Sequence, residues 1–220
     1  MTSGFSVHQV KIGKRNVKFQ VWVPPQIQPP YPTVLFLHGY GETGTDGKKM
    51  VTIGLAKALR EQPEKWPFLV VFPQKPTTAL WPEHVEILRA ICSDVSKNYQ
   101  VDESRLYLTG LSQGGHGTLN LVDQLPWTFA AAAAICGWCD PHAVRMKFSD
   151  IPLRLYHGMK DDVVAYENSL CLAKELCRVP SVHAELLLYP QDDHNSWDQA
   201  YLDSELGGWF LKYSRKESPV

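Results

Sequence analysis

The chain has 220 residues, which predicts a single domain over residues 1–220 on a prior of roughly 150 residues per domain. Its 22 Lys and Arg nearly balance 23 Asp and Glu, for a net charge of −1, and no basic run interrupts that balance. This excludes the electrostatic footprint of a nucleic-acid-binding protein and of one held on an anionic membrane surface. With 44% hydrophobic and 20% charged residues, a wholly disordered chain is excluded too.

The five cysteines, Cys92, Cys136, Cys139, Cys171 and Cys177, are an odd count in a chain too long for a disulfide scaffold. The opening MTSGFSVHQVK carries neither a basic n-region nor an apolar h-region. The sequence therefore predicts a cytoplasmic protein from a reducing compartment, with a processed secreted form as the alternative. The longest strongly apolar run, Phe129 to Cys136, is less than half of a membrane span, so no membrane partner is expected.

In chain order, Ser6–Ile12 and the alternating Val17–Val23 predict a pair of half-buried strands. Pro24, Pro25, Pro29, Pro30 and Pro32 then form a stiff connection. Beyond it, Val34–Leu37, Phe68–Phe72, Leu106–Leu108, Ala130–Ile135, Leu153–Tyr156 and Glu185–Tyr189 are short apolar runs, the pattern of parallel strands buried on both faces. Helical periodicity separates them, at Met50–Gln62, Glu83–Tyr99, Gly114–Leu125, Val164–Cys177 and finally Ser204–Tyr213. Strand and helix alternation after an antiparallel pair predicts an α/β fold, a mostly parallel central sheet with helices on both faces. Such a sheet presents its chemistry at the carboxyl ends of its strands.

One of those ends carries Gly110-Leu111-Ser112-Gln113-Gly114. A G-x-S-x-G match is weak by itself, but here RLYLT reads as a buried strand before it and a helix begins at Gly114. A serine on so tight a turn has its hydroxyl exposed, and only small residues fit two positions to either side. A solvated serine in a glycine-rich turn is the competing reading. A serine hydroxyl is a poor nucleophile until a base takes its proton. Of the eight histidines, His8, His84, His142 and His183 fall on predicted surface segments, whereas His38 and His157 each follow a strand and precede a glycine, as residues that support loop geometry do. His194 lies just past the last strand, in the final place of the order Ser, acid, His.

The acid then belongs after the preceding strand, where Asp161 and Asp162 both qualify; Asp192 and Asp193 stand too close to His194. One carboxylate would hold the imidazole in its productive tautomer, and the other would be solvated or cap a helix. Acyl transfer also needs two N–H donors for the developing oxyanion. The usual donors are the backbone N–H just beyond the first central strand and that after the nucleophile, here Tyr40 and Gln113. Trp81, His116, Trp138 and Trp197 each adjoin one of these loops. At least one, Trp81 or Trp138 first, is expected to wall the substrate pocket.

HGYGETG, FPQ followed by Trp81, YLTGLSQGGHGT, ICGWCDP, HGMKDDVV and YPQDDHNSW occur in the order and spacing of small α/β-hydrolase carboxylesterases. Over about residues 15–213 the chain resembles the phospholipase/carboxylesterase and polyhydroxybutyrate-depolymerase-like group of esterases and predicted peptidases. The resemblance implies an α/β-hydrolase fold and a serine carboxylesterase acting on small to medium esters, with no cofactor. It also implies that the acid of the H-G-x-x-D-x-x-V pattern is Asp161. The group often has proline after that aspartate and after the valine; this chain has Asp162 and Ala165. A triad does not distinguish esters from amides or thioesters, so a peptidase and an acyl-thioesterase are the alternatives, with a non-catalytic binding protein further off.

Cys136-Gly137-Trp138-Cys139 has dithiol spacing but follows a buried alanine-rich strand in mid-chain, unlike a thioredoxin-type site. Cys171 and Cys177, six apart on a predicted helix, do not complete a zinc set, so no metal is expected. Nearly every segment belongs to the minimal core, with no insertion long enough for a lid. The site should be open and shallow.

Overall fold

The computed structural model describes residues 3–203 and 205–215. Strands β1 (Gly4–Ile12) and β2 (Arg15–Val23) pair antiparallel through a tight turn in which Gly13 takes φ 59°. The proline-rich connection leads to β3 (Tyr31–Leu37), followed by β4 (Leu69–Pro73), β5 (Val101–Leu111), β6 (Ala131–Ile135), β7 (Leu153–Gly158) and β8 (Ala184–Tyr189). They form one sheet in the order β1-β2-β4-β3-β5-β6-β7-β8. The β1–β2 and β2–β4 pairs are antiparallel, and all others are parallel.

The continuous apolar runs have a direct physical reason. Alternate residues of one strand face opposite sides of the sheet, and both sides are covered. In β3, Leu35 and Leu37 join a core with Ile87, Leu88 and Ile91 of helix α2 (Val85–Asn98), Leu119 of α3 (Gln113–Leu121) and Leu172 of α5 (Glu167–Leu176). Val34 and Phe36 join the opposite core with Leu55 and Leu59 of α1 (Leu55–Glu61) and with Trp209 and Phe210 of α6 (Leu206–Phe210). A fully buried leucine or phenylalanine contributes roughly 1.5–3 kcal/mol, so each strand is fixed from both sides.

Several boundaries differ from the sequence reading. The predicted helix Met50–Gln62 is a 3₁₀ turn at Lys49–Val51 and then α1, because Gly54 takes φ 60° and breaks the first turn. A side chain there would be strained at this φ and crowded, since a Cβ on Gly54 would stand 2.6 Å from Leu111 Cδ2. The segment predicted as Glu83–Tyr99 begins as a 3₁₀ turn, Trp81–His84, and the later helices are shorter than their periodicity suggests. The last begins as π-helix Gln199–Asp203, and its predicted first residue, Ser204, lies outside the described residues. A short helix, α4 (Pro141–Val144), has no counterpart in the sequence reading; Asp140 caps it by accepting from the His142 N–H at 3.0 Å. Strand β8 is the sheet edge, with Glu185 exposed and its neighbours half-buried, not buried on both faces as its apolar run predicts. Among the described residues, no helix is long and apolar enough to cross a membrane.

Candidate active site

At the carboxyl end of β5 the chain turns sharply into α3, and the turn residue Ser112 is held at φ 54°. A side chain there is strained, of the order of 1–3 kcal/mol, and persists because its surroundings over-determine it. The Ser112 N–H donates to Ile135 O at 2.9 Å, and Ser112 O accepts from the His116 N–H at 3.0 Å. The glycines of the motif follow from contact: a Cβ on Gly114 would lie 1.8 Å from Leu37 O, and one on Gly110 2.4 Å from Gly114 O. The end of β3 and the first turn of α3 approach too closely for any side chain at these positions.

The loops after β7 and β8 bring two further groups to this serine. His194 Nε2 stands 3.0 Å from Ser112 Oγ, and His194 Nδ1 stands 2.7 Å from Asp161 Oδ2. An ionised carboxylate only accepts, so Nδ1 carries the proton and the Nε2 lone pair faces the hydroxyl. Burial opposes ionisation of Asp161, but the His194 bond and the N–H groups of Val164 and Val163 together hold its carboxyl below the ordinary range. Those N–H groups reach Oδ1 at 2.8 and 2.9 Å. Asp162, exposed and one residue on, is not part of this arrangement. Of the two carboxylates that the spacing left open, Asp161 is the one in contact with His194.

His157 supports Asp161 from below. Its Nε2 faces two acceptors, Asp161 Oδ2 at 3.2 Å and Val164 O at 2.8 Å, so Nε2 carries the proton and Nδ1 accepts from Ser169 Oγ at 2.7 Å. Burial lowers its pKa, which favours the neutral ring. His38 does the same for the loop after β3. Its Nε2 accepts from the Lys75 N–H at 3.2 Å, leaving Nδ1–H to donate to Gly39 O at 2.6 Å. Burial lowers the His38 pKa to about 3. In the unfolded chain this histidine titrates near 6.5, so the unfolded state binds the extra proton between the two values. Stability is therefore fully present above pH 6.5 and falls as pH drops below it, by about 1.4 kcal/mol per pH unit for each histidine held neutral. Urea unfolding should show stability falling between about pH 6.5 and 4.5, with a slope that approaches this value at the acid end; a flat profile would contradict the neutral burial of His38.

The loop after β3 lies against the serine. A Cβ on Gly39 would come 3.6 Å from Ser112 Cβ. The N–H groups of Tyr40 and Gln113 have no hydrogen-bond partner among the described residues, and Gln113 is the first residue of α3, where a helix leaves its N–H free. Glu42 and Lys75 pack behind this loop. Burial raises the Glu42 carboxyl pKa and lowers the Lys75 amine to about 8, each partly offset by the other's charge.

A cavity of about 470 Å³ opens over Ser112, lined by Tyr40, Gln113, Trp138, Val163 and Asn168 among others. Tyr40 and Val163 at its rim are 61% and 68% exposed, in keeping with an open site. Trp138 lines it, with His116 packed against it at 4.9 Å between ring centroids. Trp197 sets its ring edge-on to His194 at 5.4 Å. Trp81 corrects the expectation. It is 0% exposed and donates from Nε1 to His38 O at 2.9 Å, so it buttresses the loop after β3 and does not wall the cavity. Sequence reasoning missed Val163 and Asn168 as lining residues and Glu42 and Lys75 as buried charges. The Glu in HGYGETG was a visible signal; for the others, only the folded contacts supply one.

All five cysteines are free thiols. Burial raises the pKa of Cys136 and pushes that of Cys139 up to about 12, the opposite of a reactive dithiol. Donor atoms of Cys136, Asp161 and His194 lie within 4.8 Å of one another. The Asp161 oxygens already accept from His194, His157, Val163 and Val164, so the cluster is bound up in its own hydrogen bonds.

Sheet order, strand-end site and serine turn define an α/β-hydrolase. The chain belongs to the phospholipase/carboxylesterase family, whose model matches residues 72–203. The relatives that it resembles include esterases and a thioesterase. An acyl-protein thioesterase homolog of Dictyostelium discoideum is 26% identical over 190 residues, covering 74% of this chain and 85% of that protein. A bifunctional acetylxylan esterase/xylanase of Neocallimastix patriciarum is 26% identical over 160 residues, covering 67% of this chain but only 22% of that protein. A thermostable esterase of known structure superposes with a TM-score of 0.83 at 29% identity, covering 96% of this chain and 63% of its own.

Proposed function

We propose that the protein is a serine carboxylesterase that hydrolyses small to medium esters through an acyl-enzyme. The observation that carries this reading is the continuous hydrogen-bond chain Ser112 Oγ–His194 Nε2 at 3.0 Å and His194 Nδ1–Asp161 Oδ2 at 2.7 Å, beside two unpartnered N–H groups. Ser112 Oγ attacks the ester carbonyl carbon as its proton passes to His194 Nε2, and Asp161 stabilises the resulting imidazolium. The carbonyl oxygen, now an oxyanion, accepts from the Tyr40 and Gln113 N–H groups. His194 returns the proton to the leaving alcohol as the C–O bond breaks. Water then repeats the sequence on the acyl-enzyme, releasing the acid and restoring Ser112. The lining offers no charged side chain among the residues that define the cavity, which favours neutral acyl and alcohol groups. An open rim with no cover favours small or surface-displayed esters over long lipid chains.

The reading is tested by incubating the protein with a fluorophosphonate and locating the adduct by peptide mass spectrometry. Label on Ser112, together with turnover of p-nitrophenyl acetate that stops in proportion to labelling, is the expected result. An unlabelled Ser112 with undiminished turnover would sink it. Faster turnover of matched thioesters or peptide anilides than of esters would keep the serine but change the substrate class.

A further inference from the structure

Two buried charges behind the donor loop take no part in the acyl-transfer steps. Glu42 is 8% exposed and Lys75 is 0% exposed, and they make no direct ion pair with each other. Burying a charge is costly unless hydrogen bonds repay it. Their hydrogen bonds tie the loop after β3 to itself and to the segment after β4. Glu42 Oε2 accepts from the Gly39 N–H at 3.1 Å, and the Glu42 carbonyl accepts from Gln74 Nε2 at 3.0 Å. Lys75 Nζ donates to Thr43 Oγ1 and to Thr77 O, each at 3.1 Å. The Lys75 main chain closes the loop from the same side, its N–H donating to His38 Nε2 and its carbonyl accepting from the Gly44 N–H at 3.0 Å.

The consequence for Tyr40 comes from peptide planarity. The Gly39 carbonyl and the Tyr40 N–H belong to one rigid plane and point in opposite directions. The His38 Nδ1–H bond that fixes Gly39 O therefore also fixes the direction of the Tyr40 N–H. Glu42 fixes the plane before it, through the Gly39 N–H, and Lys75 holds the far end at Thr43, whose own N–H returns to Tyr40 O at 3.2 Å.

We propose that Glu42 and Lys75 are positioning residues for the oxyanion hole: with His38 they lock the peptide planes around Gly39 so that the Tyr40 N–H stays aimed at the developing oxyanion. This rests on the serine-hydrolase reading given above. The donor acts only when negative charge has developed, so its loss lowers kcat and leaves KM in place.

The test compares Glu42→Leu, Glu42→Gln and Lys75→Met with the wild type on p-nitrophenyl acetate, each normalised to active sites titrated with the fluorophosphonate. Glu42→Leu should lower kcat per titrated site by about 10²-fold with KM unchanged, the loss typical of one misplaced oxyanion donor. Lys75→Met should lower kcat less, and Glu42→Gln should recover most of it, because the amide oxygen still accepts from Gly39. Affinity for a trifluoromethyl ketone, whose hemiketal oxygen occupies the same hole, should fall in parallel with kcat. A merely structural role would reduce the fraction of titratable sites and leave kcat per site and ketone affinity untouched; that result would overturn the proposal. If Glu42→Leu yields no titratable sites, Lys75→Met carries the same comparison. An unlabelled wild-type Ser112 would instead overturn the serine reading, and this proposal with it.

Discussion

Replacing Ser112 with alanine is expected to lower kcat on p-nitrophenyl acetate by about 10⁶-fold, the loss that removing a catalytic-triad serine typically causes. That corresponds to about 8 kcal/mol of transition-state stabilisation. The substitution removes only the Oγ that faces His194 Nε2 at 3.0 Å and keeps the Cβ at the strained φ of 54°. Folding should therefore be nearly unchanged, and thermal unfolding beside the kinetics separates chemistry from stability. The residual rate should still exceed that in water, because the Tyr40 and Gln113 N–H groups remain. Activity near that of the wild type would mean that another group is the nucleophile.

Exchanging Asp161 for asparagine should lower kcat by about 10⁴-fold, whereas the same exchange at Asp162 should change it little. The physical reason lies in the four donors around Asp161. Val163 and Val164 direct N–H groups at Oδ1, so an asparagine would keep its oxygen there and turn its NH₂ toward His194 and His157. His194 Nδ1 would then have to accept, which moves its proton to Nε2 and points it at Ser112 Oγ. In that tautomer the ring cannot take the serine proton. Asp162 is exposed and faces none of these groups. Equal small losses in the two variants would place the acid elsewhere.

Much of this site is legible in the amino-acid sequence, because its chemistry depends on local punctuation. Gly110, Ser112 and Gly114 need no tertiary information once RLYLT is read as a strand: the spacing already requires a turn that neighbouring backbone approaches closely. His194 follows from its place after the last apolar run. The choice between Asp161 and Asp162 is different. Side-chain direction within a loop is set by which backbone N–H groups capture the carboxylate, and adjacent residues of the same type carry no sign of that. Trp81 shows the same limit, since indoles beside a catalytic loop look alike in sequence whether they face the cavity or the core. Helix ends shifted where Gly54 and the 3₁₀ turns broke a periodicity that apolar spacing alone could not interrupt.

The order of apolar runs and punctuating residues by itself determined an α/β core with a serine turn, a histidine loop and an acidic loop in fixed order. Apolar runs and glycine spacing encode these features locally. Only the tertiary structure decided that β8 is an edge, that Asp161 contacts His194, and that Glu42 and Lys75 are buried behind the Tyr40 loop. Those outcomes depend on contacts between segments more than thirty residues apart, such as Lys75 with Thr43 and Asp161 with His194. A charged residue in sequence gives no indication of whether water or a distant backbone will surround it; packing supplies that answer.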